Sequence, residues 1–141
     1  MENEDLKTES ENCFQKAIAV WEKIIPLETN TIYSPRAYYF SAICHLRMGQ
    51  YENAIAYFSE TVNRWPNYQF SPYAQYYVAD CFEELVRQKV IPGSDAAEMI
   101  RYACQEIITN YPESGLVEGA RNMLKRWNSV NSKAREVRKI N

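Results

Sequence analysis

The sequence predicts an all-α fold, a right-handed array of about six antiparallel helices, and two observations carry that expectation. Apolar residues recur at helical spacing almost throughout the 141 residues, and turn residues are scarce, with 4 Gly and 6 Pro. A β-sandwich or barrel needs turn residues about every ten positions, more than this chain supplies. The hydrophobic fraction is 46% and the charged fraction 24%, so a chain of this length can bury a core without disulfide or metal staples.

Phe14, Ala17, Ile18, Trp21, Ile24 and Ile25 fall on one helix face, which Pro26 closes. Ser34-Pro35 opens a second helix, Ser as the cap and Pro in the first turn, where its missing N–H costs nothing. That helix runs to about Met48 and stops at Gly49. Tyr51, Ala54, Ile55, Phe58, Val62 and Trp65 form the face of a third, which ends before Pro66. Ser71-Pro72 repeats the Ser-Pro start, and this helix turns Tyr76, Ala79, Phe82 and Val86 inward. After the Pro92-Gly93 turn, Ser94 or Asp95 caps a fifth helix, with Glu98 placed to complete a capping box. It carries Ala96, Ile100, Ala103, Cys104, Ile107, Ile108 and Tyr111 and ends before Pro112. Ser114 caps the last helix, through Val117, Ala120, Leu124 and Trp127.

Residues 1–11 read as an acidic N-terminal tail, with Glu2, Glu4, Asp5, Glu9 and Glu11 against Lys7. Residues 12–127 read as a helical repeat domain. Residues 128–141 read as a basic, polar helix extension or tail.

Several chemistries are excluded by inventory. Gly49, Gly93, Gly115 and Gly119 cannot build a glycine-rich phosphate loop. One histidine, His45, cannot make a two-histidine metal site within one chain. No catalytic residue, cofactor or metal is expected. Cys44 and His45 are adjacent, but neighbours on a helix point about 100° apart and do not meet. Glu83-Glu84 reads as a solvated face rather than an acid/base pair. The four cysteines (Cys13, Cys44, Cys81, Cys104) contain no C-x-x-C and read as reduced core residues. A net charge of −2 and a basic end with Trp127 as its lone aromatic argue against nucleic acid. No run of about 20 apolar residues suggests a membrane span. The acidic start has neither a secretory signal nor a lipobox before Cys13, so the expected location is the cytoplasm.

The chain also repeats itself. Ala42-Ile43-Cys44 and Ala79-Asp80-Cys81 lie 37 residues apart, as do Tyr39-Phe40 and Tyr76-Tyr77. Ala17-x-x-x-Trp21 matches Ala54-x-x-x-Phe58 at the same offset. The set Ala42, Gly49-Gln50-Tyr51, Ala54-Ile55-Ala56-Tyr57-Phe58 and Pro66 resembles the tetratricopeptide repeat family. The resemblance covers about residues 12–127. The second repeat lacks the Gly after its first helix, has Ile100 where Ala is usual and carries a longer loop, residues 87–95. Trp65-Pro66-Asn67 and Tyr111-Pro112-Glu113-Ser114 resemble the variant in bacterial outer-membrane assembly and Tol-Pal-associated repeat proteins.

The resemblance implies an inner groove lined by the first helix of each pair. It would draw on Arg36, Tyr39, Phe40, Ile43, Leu46 and Arg47, then Tyr73, Tyr76, Tyr77, Asp80, Glu83 and Glu84. Ser114, Val117, Glu118, Arg121, Leu124 and Lys125 would follow on the capping helix. Aromatics and Arg are enriched at binding hot spots. The expected function is a non-enzymatic interaction module or scaffold binding a peptide or helix of another protein. Self-association and a small Cys44-dependent enzyme are the alternatives. Tyr39, Phe40, Tyr76 and Tyr77 are expected to form one aromatic strip that carries binding.

Overall fold

A computed structural model of the chain describes residues 2–27 and 33–130. It contains α1 (Glu2–Ile24), a 3-10 turn (Ile25–Leu27), α2 (Tyr33–Arg47), α3 (Tyr51–Arg64), α4 (Ser71–Arg87), α5 (Gly93–Asn110) and α6 (Val117–Asn128). Among the described residues there is no strand, and no helix is long and apolar enough to cross a membrane. The all-α expectation holds. The chain divides into two compact units, Met1–Tyr68 and Gln69–Asn141.

In the first unit α2 packs on α3, and α1 packs on α2. Residues 48–50 reverse the chain between α2 and α3, so the pair is antiparallel. Ala37, Ala42 and Ala54 are fully buried, and Phe58 fills the space beside them. In the second unit α5 packs on both α4 and α6. Its core combines small residues (Ala74, Ala79, Ala96, Ala97, Ala120) with Ile100, Ile107, Met123, Cys81 and Cys104. Alanine is the best helix former and lets two backbones approach closely, so the same residue serves both purposes.

Helix ends follow Gly and Pro where the sequence shows them. At the end of α2, Gly49 has φ +73°. Its N–H bonds the Leu46 carbonyl at 3.0 Å, and the Gln50 N–H bonds that of His45 at 2.9 Å. This left-handed residue with its two backward bonds is the Schellman arrangement. The end of α4 repeats it without glycine. Lys89 takes φ +59°, its N–H bonds the Val86 carbonyl at 3.0 Å, and the Val90 N–H bonds that of Leu85 at 2.9 Å.

Helix starts differ from the sequence expectation. α1 begins at Glu2 and takes in most of the acidic segment, with residues 3–10 exposed. Ser34 and Ser71 lie inside the first turns of α2 and α4 and are buried, because Tyr33 and Ser71 already begin those helices. α5 is capped by the extended backbone of Pro92, not by Ser94 or Asp95; the Pro92 carbonyl accepts the Asp95 N–H at 3.0 Å. Ser114 sits ahead of α6, its hydroxyl accepting the Leu116 N–H at 3.2 Å. Cys13 is exposed on α1, a correction to its assignment to the core; Cys44, Cys81 and Cys104 are buried as expected. The basic residues beyond position 130 lie outside the described residues.

Two substitutions test this account. Lys89→Gly removes left-handed strain and should raise stability by about 1 kcal/mol in urea unfolding. Ala54→Leu should overpack the α2–α3 contact and lower stability by about 1–3 kcal/mol.

Candidate functional site

Each unit presents its own share of the expected groove residues. On α2, Arg36, Phe40, Ile43 and Arg47 follow the i, i+4, i+7, i+11 stripe of one helix face. Arg36 and Arg47 are exposed, Phe40 and Ile43 half-buried. The Phe40 ring stacks on Trp21 of α1 with centroids 6.1 Å apart. Tyr39 differs. It is 7% exposed and packs edge-on against Phe40, Phe58 and Tyr68 at 5.3, 5.8 and 6.2 Å. Tyr39 is therefore a core residue of the first unit, and its ring offers almost no surface to a partner.

On α4 the equivalent stripe is Tyr73, Tyr77, Asp80 and Glu84. Tyr73 is 46% exposed, while Tyr77 and Asp80 are half-buried. Tyr76 lies against α6: a Cβ placed on Gly119 would stand 2.9 Å from its hydroxyl. Gly119 is what allows the Tyr76 ring to lie over that helix. Burial is the main influence on the Tyr76 hydroxyl and pushes its titration up, with the charges of Asp80, Cys104 and Glu83 adding to it. Arg121 and Lys125 of α6 are exposed.

A polar link absent from the sequence reading holds this face together. Glu83 Oε1 accepts hydrogen bonds from Trp127 Nε1 at 2.6 Å and Arg126 Nη2 at 2.9 Å. Arg101 of α5 donates to the carbonyls of Trp127 at 2.7 Å and Val130 at 2.8 Å. Glu83 is thus a tie between α4 and α6 rather than part of a solvated pair, whereas Glu84 pairs with Arg87 on its own helix. The partners of Glu83 lie 43 and 44 positions away in sequence, so no local pattern reveals them. Burial first, then the Glu83 charge, raises the Asp80 carboxyl to about 6, with Arg126 pulling the other way.

The first unit holds a second cluster that sequence reasoning missed. Arg64 lies over the rings of Tyr38 and Trp65, 5.3 and 4.6 Å from their centroids, and donates to the Tyr38 hydroxyl at 3.0 Å. His45 stacks on Tyr57 at 5.3 Å, and its Nδ1 donates to Gln50 Oε1 at 2.6 Å. His45 is therefore engaged away from Cys44. Burial raises the Cys44 thiol and pushes Cys81 and Cys104 up to about 12, the reverse of what a thiolate nucleophile needs. Among the described residues no group of three His, Cys, Asp or Glu side chains is placed to hold a metal ion.

Residues 36–68, which run from the first turn of α2 through the end of α3, match the family model of the tetratricopeptide repeat. No curated protein sequence matches the chain.

The raised Asp80 carboxyl gives a pH dependence of known sign. Between its ordinary and raised values the folded chain holds more protons than the unfolded one, so stability falls as pH rises from about 4 to about 6. Asp80→Asn cannot ionise, so urea midpoints should show its advantage over the wild type growing across that range and levelling above it.

Proposed function

We propose that the chain is a non-enzymatic interaction module that binds a peptide or helix of another protein. The first unit would offer Arg36, Phe40, Ile43 and Arg47, and the second Tyr73, Tyr76, Tyr77, Asp80, Arg121 and Lys125. The tetratricopeptide match over residues 36–68 supports a protein-interaction role. The observation that carries the reading is Tyr73, a large ring left 46% exposed on the α4 stripe beside half-buried Tyr77. Tyrosine loses little side-chain entropy on binding and can both pack and donate a hydrogen bond. Arg36 and Arg47 add exposed positive charge to the α2 stripe of the first unit, and Arg121 and Lys125 add it on α6 of the second, which in each suits a partner segment carrying Asp or Glu. Tyr39 supports this surface from beneath.

Peptide display against the full chain, followed by titration of individual selected peptides, tests the reading. Tyr73→Ala with Tyr77→Ala should weaken binding at least about tenfold while lowering the melting temperature only slightly. Tyr39→Ala should instead lower stability by about 3–5 kcal/mol. Peptides that bind the double variant and the wild type equally would contradict the assignment.

A further inference from the structure

α1 carries a face that its repeat equivalent buries. Ala17 and Ile24 stand 37 positions before Ala54 and Thr61. The two residues of α3 are fully buried, whereas those of α1 are only half-buried. Around them Leu6 is 63% and Val20 57% exposed, and Cys13 is exposed as well. Leu6, Ser10, Cys13, Ala17, Val20 and Ile24 alternate spacings of four and three, the pattern of a seam between two packed helices. Phe14, Ile18, Trp21 and Ile25 form the adjoining face, and Trp21 stacks on Phe40 of α2. The seam is therefore a second face, distinct from the one α2 covers.

We propose that this seam takes α1 of a second copy of the chain, packed antiparallel in a two-fold dimer. Charge selects both the occupant and its direction. The first half of α1 is acidic, with Glu4, Asp5, Glu9 and Glu11 against Lys7, and the second half carries Lys16 and Lys23 against Glu22. Glu9 and Lys16 are two turns apart on the same edge of the seam, and both are exposed. A parallel copy would set acid against acid. An antiparallel copy sets Glu9 against the partner's Lys16 and, by symmetry, Lys16 against the partner's Glu9. The same register brings Leu6 near the partner's Val20. Ser10 and Cys13 fall at the centre, where small side chains permit close approach.

Sedimentation equilibrium of the full chain under reducing conditions tests this. The wild type should dimerise reversibly in the micromolar range. Leu6→Glu with Val20→Glu should be monomeric there, with the melting temperature of the dissociated wild type, since both side chains are exposed in the monomer. Glu9→Lys and Lys16→Glu should each weaken the dimer about tenfold, because two symmetric pairs turn repulsive together. The two combined should restore it to within about threefold of the wild type. A wild type that stays monomeric up to about 1 mM overturns the proposal, as does a dimer that Leu6→Glu with Val20→Glu leaves intact. Failure of the combined reversal to rescue either single variant overturns the antiparallel pairing.

Discussion

The close approach of helices through alanine is the constraint on which the rest of the structure depends. Ala37, Ala42 and Ala54 in the first unit, and Ala74, Ala79, Ala96, Ala97 and Ala120 in the second, have no exposed surface at all. Larger side chains there would hold the helices apart and reopen the spaces that Phe58, Ile100, Ile107 and Met123 fill. Each helix pair buries its small-residue face, and the aromatic residues are left to sort into those beneath and those outside. Tyr39 goes beneath because Phe58 and Tyr68 meet it from the other side. Tyr73 stays outside, one edge of its ring against Phe70 at 6.1 Å.

Polar groups follow the same logic. Glu83 is half-buried, yet Trp127 and Arg126 satisfy it, so its charge joins α4 to α6 instead of opposing burial. Asp80, one turn earlier, is held protonated up to about 6 by its burial first and by that charge second. The second unit thus places a titratable carboxyl between the residues that pack and those that face solvent. Thr61, fully buried in α3, turns its hydroxyl back to the Tyr57 carbonyl at 2.8 Å, so no polar atom of that side chain is stranded.

Helix ends marked by Gly49, Pro66 and Pro112 were legible in the sequence, because their chemistry is local. The start of α1 was not, since a polar exposed turn leaves no apolar period to read. Cys13 misled for a related reason: it lies at helical spacing from Ala17, but spacing shows a face without showing what covers it. The repeat offset of 37 residues paired Tyr39-Phe40 with Tyr76-Tyr77 and could not tell Tyr39 from Phe40. That distinction depends on Phe58 and Tyr68, which reach Tyr39 only through the folding of α3 and the turn after it. The missing glycine of the second repeat was visible as a departure; that Lys89 would adopt the glycine conformation in its place was not.

Native-state labelling of the four cysteines, followed by mass spectrometry of each site, tests most directly whether tight helix packing governs this chain and leaves no thiol poised for chemistry. Labelled at a concentration where the chain is monomeric, Cys13 should react at the rate of an unfolded thiol, while Cys44, Cys81 and Cys104 react only as fast as the chain unfolds. Rapid labelling of any of those three in the folded protein would contradict the packing. At Cys44, beside His45, it would also return a thiol enzyme to consideration.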